Sequence, residues 1–90
     1  MANEIDFVKN EKNYWEASIA SSGESIVVEI TREKGGTFLV FGNLEGLDKV
    51  LLENFGPGAD RNLMMQIDDI PEGVTITFIS FTEVKSAKYV

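Results

Sequence analysis

Hydrophobic and polar residues alternate with a period of two over several stretches of the chain, which is the pattern of β-strands that turn one face towards a core. Tyr14–Ala20, Ser25–Arg32 and Val74–Phe78 show this alternation, and they are rich in residues that favour strands. Shorter strands are predicted near the two ends, around Ile5–Phe7 and Val84–Val90. The chain is therefore expected to consist mainly of β-strands.

Turn signals separate these strands at regular intervals. Ser21–Glu24 and Glu33–Gly36 combine glycine with polar residues on either side of the strand at Ser25–Arg32. Ile70–Gly73 has proline in the second position and glycine in the fourth, which is the pattern of a type I β-turn. This turn predicts a hairpin between the strands that precede and follow it.

One stretch has helical rather than strand spacing. The residues that recur at helical intervals are Leu47, Val50, Leu51, Asn54 and Phe55. Asn43 is a suitable N-cap for such a helix, and Gly56 is a suitable C-terminal stop. The pattern predicts one short helix near 44–55, and a strand through Lys49–Phe55 is the competing interpretation.

These elements predict a single domain over residues 1–90. Its strands would form a meander near the N-terminus, then the helix or a loop as a crossover, and then a long hairpin. The simplest closed architecture is an antiparallel two-sheet sandwich, either jelly-roll-like or immunoglobulin-like, with the one short helix near 44–55. An open barrel is the alternative.

Three predicted strands carry apolar side chains on both faces, and they are Phe38–Phe41, Leu63–Met65 and Val74–Glu83. One interpretation is that the helix and loops cover the second face. The other follows from size, because so short a chain buries only about 60–65% of its unfolded surface and has little material for a third layer. An exposed apolar patch would then contact another chain. The predicted interface residues are Phe41, Met64, Ile79 and Phe81.

Charge and composition exclude several function classes. The chain has 15 Asp and Glu residues against 8 Lys and Arg residues, a formal net charge of -7, which argues against nucleic acid or an anionic membrane surface as the partner. It has no histidine and no cysteine, which excludes a histidine base, a thiol nucleophile, a disulfide framework and a zinc site with nitrogen or sulfur ligands. We therefore expect no cofactor, no metal and no enzymatic activity.

Two features are candidate ligand contacts. Tyr14 and Trp15 are neighbours on a predicted strand and face opposite sides, so that with Trp15 in the core Tyr14 lies at the surface, where it could stack on a sugar ring. Gly56–Asn62 is a loop rich in glycine and proline whose polar residues, Asp60 and Asn62, could contact a ligand. For Asp60 and Asn62 the plainer interpretation is that their side chains form local hydrogen bonds to the backbone.

The sequence favours a non-enzymatic structural or interaction module that acts in a homo-oligomer or a larger assembly, such as a protein that decorates a virus particle or a cell surface. The expected partner is protein, most simply another copy of the chain. One alternative is a small carbohydrate- or peptide-binding β-sandwich with a groove lined by Tyr14 or another exposed aromatic residue. A second alternative is an acidic inhibitor protein, which requires one shared face for Asp60, Asp68, Asp69, Glu72 and Glu83.

Overall fold

The computed structural model describes residues 2–44, 46 and 48–90, and the regular secondary structure in this part of the chain is all β. The nine strands found there are β1 (Asn3–Glu4), β2 (Val8–Lys9), β3 (Trp15–Ala20), β4 (Ile26–Arg32), β5 (Phe38–Asn43), β6 (Val50–Phe55), β7 (Asn62–Ile67), β8 (Thr75–Ser80) and β9 (Val84–Tyr89). They pack as two antiparallel sheets, which confirms the predicted sandwich. The described residues contain no helix that could cross a membrane.

The strand order is that of a jelly roll. The four-stranded sheet has the order β1-β9-β4-β7, and the five-stranded sheet has the order β2-β3-β8-β5-β6. When the short β1 and β2 are counted as one interrupted strand, the first strand pairs with the eighth, the second with the seventh, the third with the sixth and the fourth with the fifth. This nested pairing distinguishes the jelly roll from the immunoglobulin arrangement.

Most consecutive strands lie in opposite sheets, which corrects two predictions. The strands β3, β4 and β5 alternate between the sheets, so the N-terminal meander does not form. β7 and β8 also lie in different sheets, so the predicted hairpin at Ile70–Gly73 is an arch between sheets. The Val74 N–H donates to the Pro71 carbonyl at 3.4 Å and Gly73 has a φ of 92°, so the turn starts one residue later than predicted and places glycine where a type II turn requires it.

The predicted helix near 44–55 is wrong. Val50–Phe55 forms β6, the edge strand of the five-stranded sheet, and it pairs antiparallel with β5. Asn43, the predicted N-cap, is the last residue of β5. The predicted helical position Leu47 lies outside the described residues.

A β-bulge explains the misleading spacing. Val40 pairs with Glu53 and Phe41 pairs with Leu51, so Leu52 is an additional residue in β6. The extra residue interrupts the period of two that identifies a strand. Apolar positions on either side of it therefore recur at intervals of three and four, which is the spacing of a helix.

The core lies between the inward faces of the two sheets. Phe38 of β5 and Phe78 of β8 are fully buried with ring centroids 6.2 Å apart, and the Phe7 ring lies 6.3 Å from each of them. Val28 and Ile30 of β4 are also fully buried. Complete burial of a side chain of this size contributes about 1.5–3 kcal/mol relative to exposure, so this layer is the main source of stability.

A buried arginine connects three parts of the chain at one end of the sandwich. Arg32, the last residue of β4, is almost completely buried. Its Nη1 donates to the Thr37 carbonyl at 3.4 Å and to Ser80 Oγ at 3.3 Å, and its Nη2 donates to the Asp60 carbonyl. The guanidinium carbon lies 5.6 Å from the centre of the Phe38 ring, a cation–π contact. Burial lowers the pKa of Arg32 below its usual value.

Candidate functional site

The two outward faces of the sandwich differ in chemistry. The outward residues of the four-stranded sheet are mostly polar, and those of its three longer strands are Val27, Glu29, Thr31, Asn62, Met64, Gln66, Ser86 and Lys88. Across this face Lys88 Nζ lies 3.6 Å from Glu29 Oε1. A face of this composition is suited to contact with water.

The five-stranded sheet turns an apolar surface outward. Ile79 of β8 lies in register with Leu39 of β5 on one side and with Glu16 of β3 on the other. Two residues further along β5, Phe41 pairs with Leu51 of β6. Two aromatic residues just beyond the strand ends extend the surface. We name it the outer apolar patch, and it consists of Tyr14, Leu39, Phe41, Leu51, Ile79 and Phe81.

Part of the outer apolar patch is concave. A groove of about 480 Å³ is lined by Asn10, Glu11, Lys12, Tyr14, Glu16, Leu39, Phe41, Lys49, Ile79 and Phe81. The rings of Tyr14 and Phe81 stack in parallel, with centroids 4.1 Å apart and an angle of 3° between planes, so each ring covers one face of the other. The groove can bury apolar groups on its floor and pair with charged groups at its rim.

The β2–β3 hairpin positions Tyr14. Asn10 Oδ1 accepts hydrogen bonds from the N–H groups of Lys12 at 2.9 Å and Tyr14 at 3.1 Å. The Asn10 N–H donates in turn to the Tyr14 carbonyl at 2.8 Å. Asn13 adopts a φ of 66°, a left-handed conformation that asparagine tolerates better than most residues. The turn therefore fixes the tyrosine at the start of β3.

The rim of the groove carries two carboxylates and two ammonium groups, although the whole chain has a net charge of -7. Lys49 Nζ lies 5.7 Å from the centre of the Phe41 ring, a cation–π contact. Glu16 Oε1 accepts a hydrogen bond from Asn10 Nδ2 at 3.0 Å, and Glu16 is half-buried. Within the described residues Glu16 forms no ion pair.

Three of the four predicted interface residues lie together. Phe41, Ile79 and Phe81 line the groove with Tyr14, which is a predicted ligand contact. Met64 lies on the other side of the sandwich, on the outward face of the edge strand β7, and is 70% exposed. The structure thus divides the predicted interface set between the two sheets.

The other predicted ligand contacts, Asp60 and Asn62, do not line the groove that contains Tyr14. Asn62 lies beside Met64 in a shallow depression on the four-stranded sheet. Asp60 lies in the exposed loop between β6 and β7, where the preceding Ala59 carbonyl accepts a hydrogen bond from the Gly36 N–H at 3.0 Å. The two residues therefore belong to a region separate from the groove.

The acidic residues that an inhibitor would align lie at opposite ends of the sandwich. Asp68, Asp69 and Glu72 are in the connection between β7 and β8. Asp60 precedes β7 and Glu83 follows β8, so both are at the other end of these strands. The five carboxylates are thus dispersed between the two ends of the sandwich, which counts against the inhibitor hypothesis. Among the residues that the structure describes, no group of three acidic side chains could hold a metal ion.

Some residues of the groove and of the outer apolar patch are absent from the site residues predicted from the sequence. Leu39 lies in the doubly apolar run Phe38–Phe41, so the sequence contained a signal for it. Lys49 and Leu51 were hidden by the predicted helix, because only the pairing of β6 with β5 brings them beside Phe41. Charge alone gives no reason to single out Lys49 among the lysines.

Comparison with known proteins does not add a relative: no protein-family model matches the chain, and no curated protein matches its sequence. Function is therefore inferred from the surface of the molecule.

Proposed function

We propose that this protein is a non-enzymatic interaction module that works in an assembly of copies of itself, and that the copies associate through the outer apolar patch. The observation that carries the proposal is the contrast between the two outward faces. On the four-stranded sheet the exposed Val27 and Met64 are each in register with a polar residue of the neighbouring strand. On the five-stranded sheet, by contrast, Leu51 (49% exposed) and Phe81 (40% exposed) lie beside further apolar residues. Contiguous exposed apolar surface of this kind is typical of a protein contact.

The energetics of association are favourable with this set of side chains. Covering a large apolar side chain contributes about 1.5–3 kcal/mol if it starts fully exposed, and less for residues that are already half-buried. Loss of translational and rotational freedom costs about 4–15 kcal/mol, so one or two residues would not hold two chains together. A contact between two copies covers both outer apolar patches, and their side chains together can offset a cost within this range.

The dimensions of the molecule are compatible with a stable contact. Its principal extents are 32 × 30 × 21 Å, so a broad face can accommodate the roughly 800 Å² per partner that is usual for specific interfaces. The outer apolar patch would form the centre of such an interface, and the charged residues of the groove would form its rim.

The edge strand of the five-stranded sheet favours association of copies face to face rather than by addition of a strand from another chain. β6 is an edge strand of six residues that could pair with a strand of another chain. Its bulge at Leu52 disrupts regular pairing, and Glu53 places a charge opposite the inward-facing Val40. Bulges and inward-directed charges are features that natural edge strands use against pairing.

A matched pair of variants tests the proposal. Ile79→Lys places a charge at the centre of the outer apolar patch, and Thr31→Lys places one at a half-buried, outward position on a central strand of the opposite sheet. We expect light scattering to show that the unmodified chain and Thr31→Lys associate and that Ile79→Lys is monomeric, because a buried lysine without a partner is costly.

A second pair covers the case in which Ile79→Lys does not fold. Leu51→Lys and Met64→Lys change residues that are 49% and 70% exposed, so neither should impair folding. The proposal predicts that only Leu51→Lys weakens association. Equal weakening by Met64→Lys would contradict it and would indicate a head-to-tail contact that uses both sheets.

Carbohydrate binding is a second candidate function, which the concave surface at Tyr14 favours. Aromatic rings can stack on sugars, and the carboxylates and amide of the rim could bind hydroxyl groups. The stack with Phe81 leaves only one face of Tyr14 for such a ligand. A glycan-array signal that is lost in Tyr14→Ala would favour this candidate over self-association.

A further inference from the structure

We infer that the groove is occupied by the same face of a second copy, with Lys49 of each copy against Glu16 of the other. This inference rests on the proposed function, because it specifies how two copies meet through the outer apolar patch. It assigns a role to the charged rim, which the apolar contact alone does not explain.

Glu16 sets a chemical requirement for whatever covers the groove. It is half-buried before any contact, has one hydrogen bond from Asn10, and forms no ion pair within the described residues. Excluding water from a carboxylate is costly unless a cation or several hydrogen-bond donors replace it. The occupant must therefore combine apolar surface with a positive charge or with several hydrogen-bond donors.

A second copy supplies that combination. Lys49 lies over the Phe41 ring, so an ammonium group and apolar surface are presented together on the same face of the chain. The rim has equal numbers of positive and negative groups, so two rims can meet without the repulsion expected between chains that each have a net charge of -7. Electrostatic complementarity thus points to the rim of another copy.

The strand order makes the pairing geometrically possible. β8 is the central strand of the sheet, with β3 on one side of it and β5 and then β6 on the other. Glu16 is in register with Leu39, whereas Lys49 lies over Phe41, two residues further along β5. A two-fold axis in the contact plane that is inclined to β8 places the Lys49 region of one copy over Glu16 of the other, and the contact is made twice.

Charge reversal tests the pairing. We expect Lys49→Glu and Glu16→Lys each to weaken the dimer about tenfold or more, because each puts like charges together at both contacts. A mixture of the two variants should recover nearly the original affinity as a heterodimer. At one contact the introduced glutamate then meets the introduced lysine, and at the other the unchanged Glu16 of one chain meets the unchanged Lys49 of its partner.

Analytical ultracentrifugation measures the dissociation constants of the two variants and of their mixture. The matched controls are the single charge reversals Lys88→Glu and Glu29→Lys on the opposite face. Each should leave the dissociation constant of the dimer unchanged. A loss of affinity in either control equal to that of Lys49→Glu would contradict the pairing, because the effect would then come from charge at any position.

The absence of cysteine from the chain allows a second measurement that does not depend on charge. A mixture of Lys49→Cys and Glu16→Cys should form covalent heterodimers under mild oxidation. Suppose that Ile79→Lys abolishes association, but that the mixed charge variants do not recover affinity and the cysteine variants do not cross-link. The pairing of Lys49 with Glu16 would then be overturned, and the proposed function would stand. A monomeric unmodified chain would overturn both.

Discussion

At the scale of single residues, Arg32 shows how a charge can be retained in the interior without a carboxylate partner. Its guanidinium donates to two backbone carbonyls and the Ser80 hydroxyl and lies over the Phe38 ring, while Nε has no hydrogen-bond partner among the described residues. The planar guanidinium carries five donors on a rigid fork and reaches acceptors that lie apart, whereas the three donors of an ammonium group all radiate from one nitrogen. The period of two in Ser25–Arg32 places Arg32 on the same inward face as Val28 and Ile30. Its hydrogen-bond acceptors come from distant parts of the chain, so the local pattern does not show how a charge is accommodated there.

We predict that Arg32→Lys lowers the free energy of unfolding by about 2–3 kcal/mol, because hydrogen bonds from a charged donor are lost while a buried charge remains. Arg61→Lys is the control, since Arg61 is exposed in the adjacent loop, and its effect should lie within about 0.5 kcal/mol. Urea denaturation measures both. Equal effects of the two changes would show that the hydrogen bonds of Arg32 contribute nothing specific.

At the scale of elements, the sequence predicts strands well where the alternation is local and uninterrupted, as in β3, β4 and β8. It fails at β6, where the bulge at Leu52 changes the spacing, and at the β7–β8 connection, where the turn lies one residue from its predicted position and the next strand joins the other sheet. Strand pairing underlies both failures. The bulge in β6 exists only relative to β5, and the partners of β7 and β8 lie far away in the sequence. Local propensity carries no information about either kind of pairing.

The turn between β4 and β5 packs closely against the loop between β6 and β7. A Cβ atom on Gly35, in the β4–β5 turn, would lie 2.5 Å from the Ala59 carbonyl oxygen, whereas a Cβ on Gly58 would meet nothing within 4 Å. We predict that Gly35→Ala lowers the free energy of unfolding by more than about 1 kcal/mol, because backbone must move to accommodate it.

Gly58→Ala provides the control for this change and should be neutral or stabilising by up to about 1 kcal/mol, through reduced freedom of the unfolded chain. Thermal unfolding of the two variants measures the difference. Equal stability of Gly35→Ala and Gly58→Ala would contradict the close packing of the β4–β5 turn against the β6–β7 loop.

At the scale of the whole molecule, the sequence identified strands that are apolar on both faces but could not say how those faces combine. The jelly-roll order gathers Phe41, Ile79 and Phe81 on one sheet with Tyr14 and leaves Met64 on the other. That separation depends on which strands share a sheet, so it is a property of topology. Association is therefore expected at one defined face of the molecule.

The mass of the unmodified chain in solution shows whether its copies associate. If copies associate through the outer apolar patch, sedimentation equilibrium over a range of concentrations will show a species of twice the 10.0 kDa chain mass or more, with a dissociation constant in the micromolar range or below. A constant mass of 10.0 kDa at concentrations up to about 100 μM would contradict the account.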